Sequence, residues 1–208
     1  MKSSSLLIGR SYETDKLNIL LTSSQAEFLV VYGRRRVGKT FLVRQHLKDN
    51  IVFDITGTQH GAKEQQLANF SAECIKLQKG KRKIQPPLNW YQAFDCLVAS
   101  LKTLPATKKK RVVFIDEMPW LDTAKSEFIP ALEFCWNHHL SKMNNVLLIA
   151  CGSASSWIKK KLINARGGLH NRVTQRINLL PFNLYETELF LKTKGIRLPH
   201  YQVLELYM

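Results

Sequence analysis

Short apolar runs alternate with amphipathic stretches of helical period along most of this chain. Phe28-Leu29-Val30-Val31-Tyr32 is followed by a stretch opening Phe41-Leu42-Val43 and closing near Leu47, and then by Ile51-Val52-Phe53-Asp54-Ile55. The β-branched and aromatic content of the two short runs predicts strands, and the stretch between them predicts a helix. A strand–helix–strand unit is therefore complete by Ile55. Upstream, an entry segment from Leu6 to Arg10 leads into a helix over Tyr12 to Leu21, where Leu17, Leu20 and Leu21 share a face. Downstream, Leu67, Phe70, Cys74 and Leu77 fall at helical spacing over about 62–77, and Tyr91, Phe94, Leu97, Val98 and Leu101 line one side of a helix from Trp90 to Leu104.

The alternation continues. Val112-Val113-Phe114-Ile115 predicts a third strand ending in Asp116-Glu117. Glu127 to Leu140 reads as a helix, and the uninterrupted run Val146-Leu147-Leu148-Ile149-Ala150-Cys151 fits a strand covered on both faces. A short helix over Trp157 to Ile163, a break at Gly167-Gly168 and a fifth strand over Val173 to Leu179 follow; Phe182 to Lys194 and His200 to Met208 are again helical. Parallel strands need crossover connections, so the order predicts an α/β fold, with a five-stranded, mainly parallel sheet and helices on both faces. The α/β domain is expected to occupy 1–181, with 182–208 lying beyond its last strand.

Composition changes this picture little, and charge more. The 208 residues suffice for one domain with a real core, no apolar run approaches a membrane span, and the N-terminal apolar segment is too short for a secretory signal. The expected location is the cytoplasm. Cys74, Cys96, Cys135 and Cys151 are widely separated and lie in apolar or helical patterns, which predicts buried free thiols rather than disulfides or metal ligands. The formal net charge of +15 is concentrated in three runs: Lys79/Lys81/Arg82/Lys83, Lys108/Lys109/Lys110/Arg111 and Lys159/Lys160/Lys161. Two readings stand for these runs, a surface for a polyanion such as nucleic acid and solvated faces that keep the protein soluble.

The chemistry begins at Gly33-Arg34-Arg35-Arg36-Val37-Gly38-Lys39-Thr40, between a strand and a helix. In that context the spacing of Gly33, Gly38, Lys39 and Thr40 marks a phosphate-binding loop of the P-loop NTPase type. Two glycines let the backbone turn its N–H groups around an anion, and the helix beginning near Gly38, with Phe41 among the candidate nucleotide-binding residues, adds its unpaired amides and positive dipole end. Lys39 is expected to reach the β- and γ-phosphates and Thr40 to bind Mg²⁺. The third strand delivers Asp116 and Glu117 to the carboxyl edge of the sheet, where open α/β folds hold ligands. Asp116 is the expected second Mg²⁺ residue, and Glu117 the expected base or orienting group for the attacking water. Ser153, at the end of the fourth strand, either hydrogen-bonds the γ-phosphate or its attacking water, or caps the short helix that follows. Arg172, before the fifth strand, either stabilises negative charge during phosphoryl transfer or is a surface arginine; Arg166 is its competitor.

These segments resemble the archaeal-type ATPase family, of the STAND branch related to AAA+ proteins and found in bacteria as well as archaea. The resemblance rests on Ile8-Gly9-Arg10, the loop Gly33–Thr40 with its preceding strand, Phe114 to Leu121, Cys151-Gly152-Ser153, and Gly168 to Arg172 through Leu180-Pro181-Phe182. It implies ATP as the nucleotide and a sheet in which the strand ending at Ser153 lies between the phosphate-loop strand and the Asp-Glu strand. It further implies that Arg10 approaches the adenine side, and that an arginine such as Arg172 serves the site of a neighbouring subunit in a homo-oligomer. Family members continue into a helical lid, a winged-helix segment and often a nuclease-like domain, so 182–208 is expected to begin a lid that is cut short. The expected function is Mg²⁺-dependent ATP hydrolysis coupled to a conformational or assembly change. The alternative is a nucleotide-gated switch with negligible turnover that binds nucleic acid or a partner protein.

Overall fold

The computed structural model describes residues 7–78, 85–164, 169 and 171–208. The run 79–83 and Arg166, Gly167 and Gly168 therefore lie outside the described residues. Five strands, β1 (Glu27–Tyr32), β2 (Ile51–Thr56), β3 (Arg111–Asp116), β4 (Val146–Gly152) and β5 (Gln175–Asn178), form one sheet in the order β2-β3-β4-β1-β5, with every pairing parallel. The expectation of a mainly parallel sheet thus becomes a wholly parallel one, and β4 lies between β1 and β3 as the resemblance implied. β5 is shorter than the apolar pattern predicts. Its residues before Gln175 are used differently: Thr174 N–H donates to the Phe28 carbonyl at 2.9 Å and Thr174 Oγ1 accepts from Phe28 N–H at 3.0 Å.

Eight α-helices are described: α1 (Ser11–Thr22), α2 (Lys39–His46), α3 (Lys63–Leu77), α4 (Trp90–Lys102), α5 (Phe128–His138), α6 (Ser155–Ile158), α7 (Leu184–Thr193) and α8 (His200–Tyr207). α6 runs on into a π-helical turn over Lys159–Ile163, and Met118–Trp120 forms a single 3₁₀ turn where the sequence pattern predicts only a loop.

Alternation along the strands splits the core in two, because successive side chains leave a strand on opposite faces. Leu29 and Val31 of β1, Val112 and Phe114 of β3, and Leu147, Ile149 and Cys151 of β4 pack with Leu17 and Leu20 of α1 and Leu42 and Val43 of α2. Phe28, Val30 and Tyr32, Val113 and Ile115, and Leu148 and Ala150 face the other layer, where Phe70, Trp90, Phe94 and Phe128 of α3, α4 and α5 cluster. The Trp90 ring meets the edges of Phe70 and Phe128 at centroid separations of 5.6 and 4.9 Å, a geometry aromatic quadrupoles favour. Helices on both faces bury the central strands β1, β3 and β4 and leave the two ends of the sheet for chemistry.

The charged run before β3 is not the continuous surface its sequence suggests. Lys110 is 2% exposed and donates from Nζ to the carbonyls of Gln25 and Asn144. Lys109 Nζ donates to the Asp49 carbonyl at 2.8 Å, and the Arg111 guanidinium to the carbonyls of Leu101 and Pro105. These three side chains tie connections together, which leaves Lys108 as the run's cation with no partner among the described residues. Cys74, Cys135 and Cys151 are buried free thiols as expected, and Cys96 is half-buried. Among the described residues no helix is long and apolar enough to cross a membrane.

Candidate functional site

The carboxyl ends of β1, β3 and β4 meet beside the loop 33–40. Gly33 and Gly38 make that loop possible for different reasons. A Cβ on Gly33, at φ 150°, would drive into the Leu179 carbonyl oxygen, so glycine is required where β1 leaves the sheet next to the end of β5. Gly38, at φ 92°, has open space around it; there the backbone conformation itself calls for glycine. Arg36 also adopts the left-handed region, at φ 66°.

Within the loop, Lys39 is 5% exposed, and its Nζ donates to the carbonyls of Gly33 at 3.1 Å and Arg34 at 2.8 Å. The ammonium is thus held at the centre of the turn. Thr40, one residue into α2, donates from Oγ1 to Asp116 Oδ2 at 2.8 Å. Asp116 is 3% exposed, and its Oδ1 accepts the Glu117 N–H at 3.0 Å. A carboxylate so buried needs donors around it, and Arg44 adds a guanidinium 3.9 Å from Oδ2. Arg44 is itself fixed by a bidentate contact to Asp54 at 2.8 and 2.9 Å, the main cause that holds its pKa above the ordinary arginine value. Burial, reinforced by the Asp116 charge, pushes the Cys151 thiol pKa well up, so this neighbour stays a neutral thiol.

Glu117 breaks from the strand into the left-handed region at φ 44°, a conformation that costs a non-glycine residue about 1–3 kcal/mol. Its Oε2 accepts both Ser153 N–H at 3.3 Å and Ser153 Oγ–H at 3.1 Å. The helix-capping alternative for Ser153 is thereby corrected: Ala154 occupies the N-cap of α6 without a side-chain bond, and the serine hydroxyl is turned to Glu117 instead.

A cleft of about 570 Å³ opens over this constellation, lined by Arg35, Arg36, Gly38, Lys39, Thr40, Phe41 and Glu117 from the sequence-derived set. Gly33, Arg34 and Val37 belong to the loop but do not line the cleft. Arg10 is placed beside it. Only 6% exposed, Arg10 donates to the Val37 carbonyl at 3.2 Å, and its guanidinium lies 4.5 Å from the Phe182 ring centre. Its N–H meets Glu186 Oε1 at 2.9 Å, so this residue links the phosphate loop to the first turn of α7. Arg172 is not brought to this site. It lies just before Thr174, which pairs with Phe28 at the amino end of β1, whereas the loop follows Tyr32 at the carboxyl end.

Sequence reasoning missed four contributors. Gln59 and Trp120 line the cleft, and His60 packs against Trp120 at 5.6 Å. Gln66, 1% exposed on α3, holds the two segments together: its Nε2 donates to Thr58 O at 2.7 Å and Trp120 O at 3.2 Å, and its Oε1 accepts from Thr58 N–H. The carboxyl-edge rule that located Asp116 points equally to Gln59, just past β2. A polar residue on a helix carries no comparable signal, and Gln66 was invisible to periodicity.

The chain has relatives in sequence and in fold among known proteins. The chain is 25% identical over 184 residues to an uncharacterized protein, MJECL04, of Methanocaldococcus jannaschii; the match covers 85% of this chain and 36% of that protein. The Walker-type ATPase PABY2304 of Pyrococcus abyssi superposes with a TM-score of 0.68 at 17% identity, over 96% of this chain and 62% of the other. Drosophila ORC bound to DNA gives 0.64 at 18% identity, over 89% and 46%. Cdc6p from Pyrobaculum aerophilum gives 0.59 at 14% identity, over 92% and 50%. Each of these proteins extends well beyond the length this chain spans. At such identities the superpositions establish the shared fold. Residues 7–197 match the family described as an ATPase domain predominantly from Archaea, and the chain belongs to that family.

Proposed function

We propose that this domain binds ATP with Mg²⁺ in the cleft and hydrolyses it in the cytoplasm, coupling nucleotide state to a change of conformation or assembly. The observation that carries the reading is the bonded series Thr40–Asp116 and Glu117–Ser153, which spans the ends of three elements and faces Lys39. The donor set suits magnesium, which prefers hard oxygen ligands and keeps several waters. Thr40 Oγ1 and Asp116 Oδ2 are the residues that would hold it. When bound, the ion neutralises charge on the β- and γ-phosphate oxygens.

The remaining work belongs to the chain. Lys39 exchanges its loop carbonyls for phosphate oxygens, and Arg35 and Arg36, both exposed in the cleft, add positive charge. Glu117 orients a water and accepts its proton as the water oxygen bonds to the γ-phosphorus and the bond to the bridging oxygen breaks, releasing ADP. Ser153 acts through Glu117 as a positioning residue. Arg172 serves the cleft of a neighbouring subunit, in keeping with its place at the far end of the sheet. The segment from Phe182 through α8 is the start of a lid, tethered to the nucleotide loop through Arg10. A nucleic-acid partner is part of the reading, supported by the basic surface and by the fold shared with an ORC protein bound to DNA.

Equilibrium ATP binding and phosphate release, with and without DNA, test this reading. Lys39→Ala is expected to weaken ATP about ten- to a hundredfold, the equivalent of about 1.5–3 kcal/mol for a charge-assisted contact. Glu117→Gln is expected to keep ATP and lose hydrolysis. Unchanged affinity in Lys39→Ala refutes the site, and wild-type turnover in Glu117→Gln refutes the role of the carboxylate. ATP binding without phosphate release by the wild type establishes the switch alternative.

A further inference from the structure

The end of the sheet opposite the phosphate loop carries a second concavity, of about 510 Å³. Three connections frame it, at Thr22–Ser24 before β1, Thr107–Lys108 before β3, and Lys142–Asn145 before β4. The six residues of β1 place it about 17 Å from the nucleotide loop, at about 3.3 Å per residue step.

The chain holds the walls in place. The buried Lys110 ammonium joins the first and third connections through the Gln25 and Asn144 carbonyls. Asn145 Nδ2 joins the third to the second by donating to Thr107 O at 3.2 Å. What is left facing the concavity is a set of donors. The ammonium groups of Lys108 and Lys142, the Ser24 hydroxyl and the Asn144 amide have no side-chain partner among the described residues. Thr107 Oγ1 accepts from Lys109 N–H and keeps its own proton to donate. Among the described residues no carboxylate lines the concavity, and nearby Glu27 is engaged by Ser23 Oγ at 2.6 Å and by the charge of Lys110. Two cations and three neutral donors around one hollow suit an oxyanion. Lys48, in the connection before β2, and Lys102, the last residue of α4, stand exposed at the same end, so the positive surface extends past a single anion.

We propose that this concavity holds a phosphodiester of a nucleic-acid backbone, so that nucleic acid and ATP occupy opposite ends of one sheet. The proposal rests on the nucleic-acid partner named above and assigns it a place. Such contacts position the partner without reading its sequence.

The test is fluorescence anisotropy of a short labelled DNA duplex across a salt series, with ATP affinity measured on the same samples. Lys108→Glu/Lys142→Glu is expected to weaken DNA at least tenfold and to flatten the log–log salt slope by about 0.9, the increment for the one phosphate that the two lysines neutralise together. ATP affinity is expected to stay at the wild-type value. The charge-matched variant Lys192→Glu/Lys194→Glu, in the last turn and at the C-cap of α7, is expected to leave DNA binding within a few-fold. Equal weakening in both double variants, or none in the first, overturns the site while leaving the partner reading intact. Absence of DNA binding by the wild type at low salt overturns both, with ATP binding still standing on its own. Inorganic phosphate retained through Lys108 and Lys142 without DNA binding likewise overturns the nucleic-acid assignment.

Discussion

Gly152 ends β4 one residue before Ser153, and its lack of a side chain lets the Met118–Trp120 turn lie against the strand. A Cβ at this position would stand 2.7 Å from Pro119 Cδ, 3.0 Å from Pro119 Cγ and 3.4 Å from Ile158 Cδ1. The proline ring cannot rotate away, so in Gly152→Ala the turn must retreat by about 0.7 Å to reach ordinary contact near 3.4 Å. Overpacking of this kind costs about 1–3 kcal/mol, which for a chain of this length lowers Tm by about 2–12 °C. The same displacement is larger than the slack in the two Ser153–Glu117 bonds, at 3.1 and 3.3 Å, and carries them beyond hydrogen-bonding range. Glu117 then loses its orientation while the 33–40 loop, on β1, keeps its own. The expected outcome is a fall in kcat with ATP affinity within about twofold, measured by phosphate release at saturating ATP and by equilibrium nucleotide binding, with a thermal melt on the same preparation. Wild-type turnover alongside a lowered Tm would refute the coupling of Ser153 to catalysis. An unchanged Tm as well would refute the steric argument itself.

Arg172 and Glu117 are expected to complement in trans: mixed assemblies of Arg172→Ala with Glu117→Gln should regain ATPase activity that neither variant shows alone. A mixture as inactive as its components, with mixed assembly verified, counts against a donor in the neighbouring subunit. Lys110→Met should lose about 2 kcal/mol of stability through its two carbonyl partners, against less than about 0.5 kcal/mol for Lys108→Met, in chemical denaturation. Equal effects would show that the run is a uniform solvated face. Burial holds the His46 imidazole below its ordinary pKa of 6.5, so the unfolded chain takes up the proton first. Its contribution is present above pH 6.5 and is lost as pH falls through the folded-state pKa; His46→Gln should remove that step from a stability–pH profile, and an identical profile would exclude His46 as its source.

Local patterns in the chain determined a good deal. The alternation of short apolar runs with helical stretches required a parallel α/β sheet, because parallel neighbours need crossovers. The loop from Gly33 to Thr40 and the pair Asp116-Glu117 were legible because their chemistry depends on residue types at fixed short spacings beside a strand end. Side-chain direction and the pairing of distant segments are set by packing, and these only the tertiary structure decided. It turned Ser153 to Glu117 instead of to its own helix, and put Arg172 at the end of the sheet away from the cleft. It brought Gln66 between two segments far from it in sequence. It also divided the run Lys108–Arg111, equivalent as a string of charges, into one cation without a partner among the described residues and three that donate to backbone carbonyls, of which Lys110 alone is buried. A charge run states how many cations are present; whether each meets solvent or a carbonyl depends on where the connections of the sheet fall, and that is fixed by burial of the strands between them.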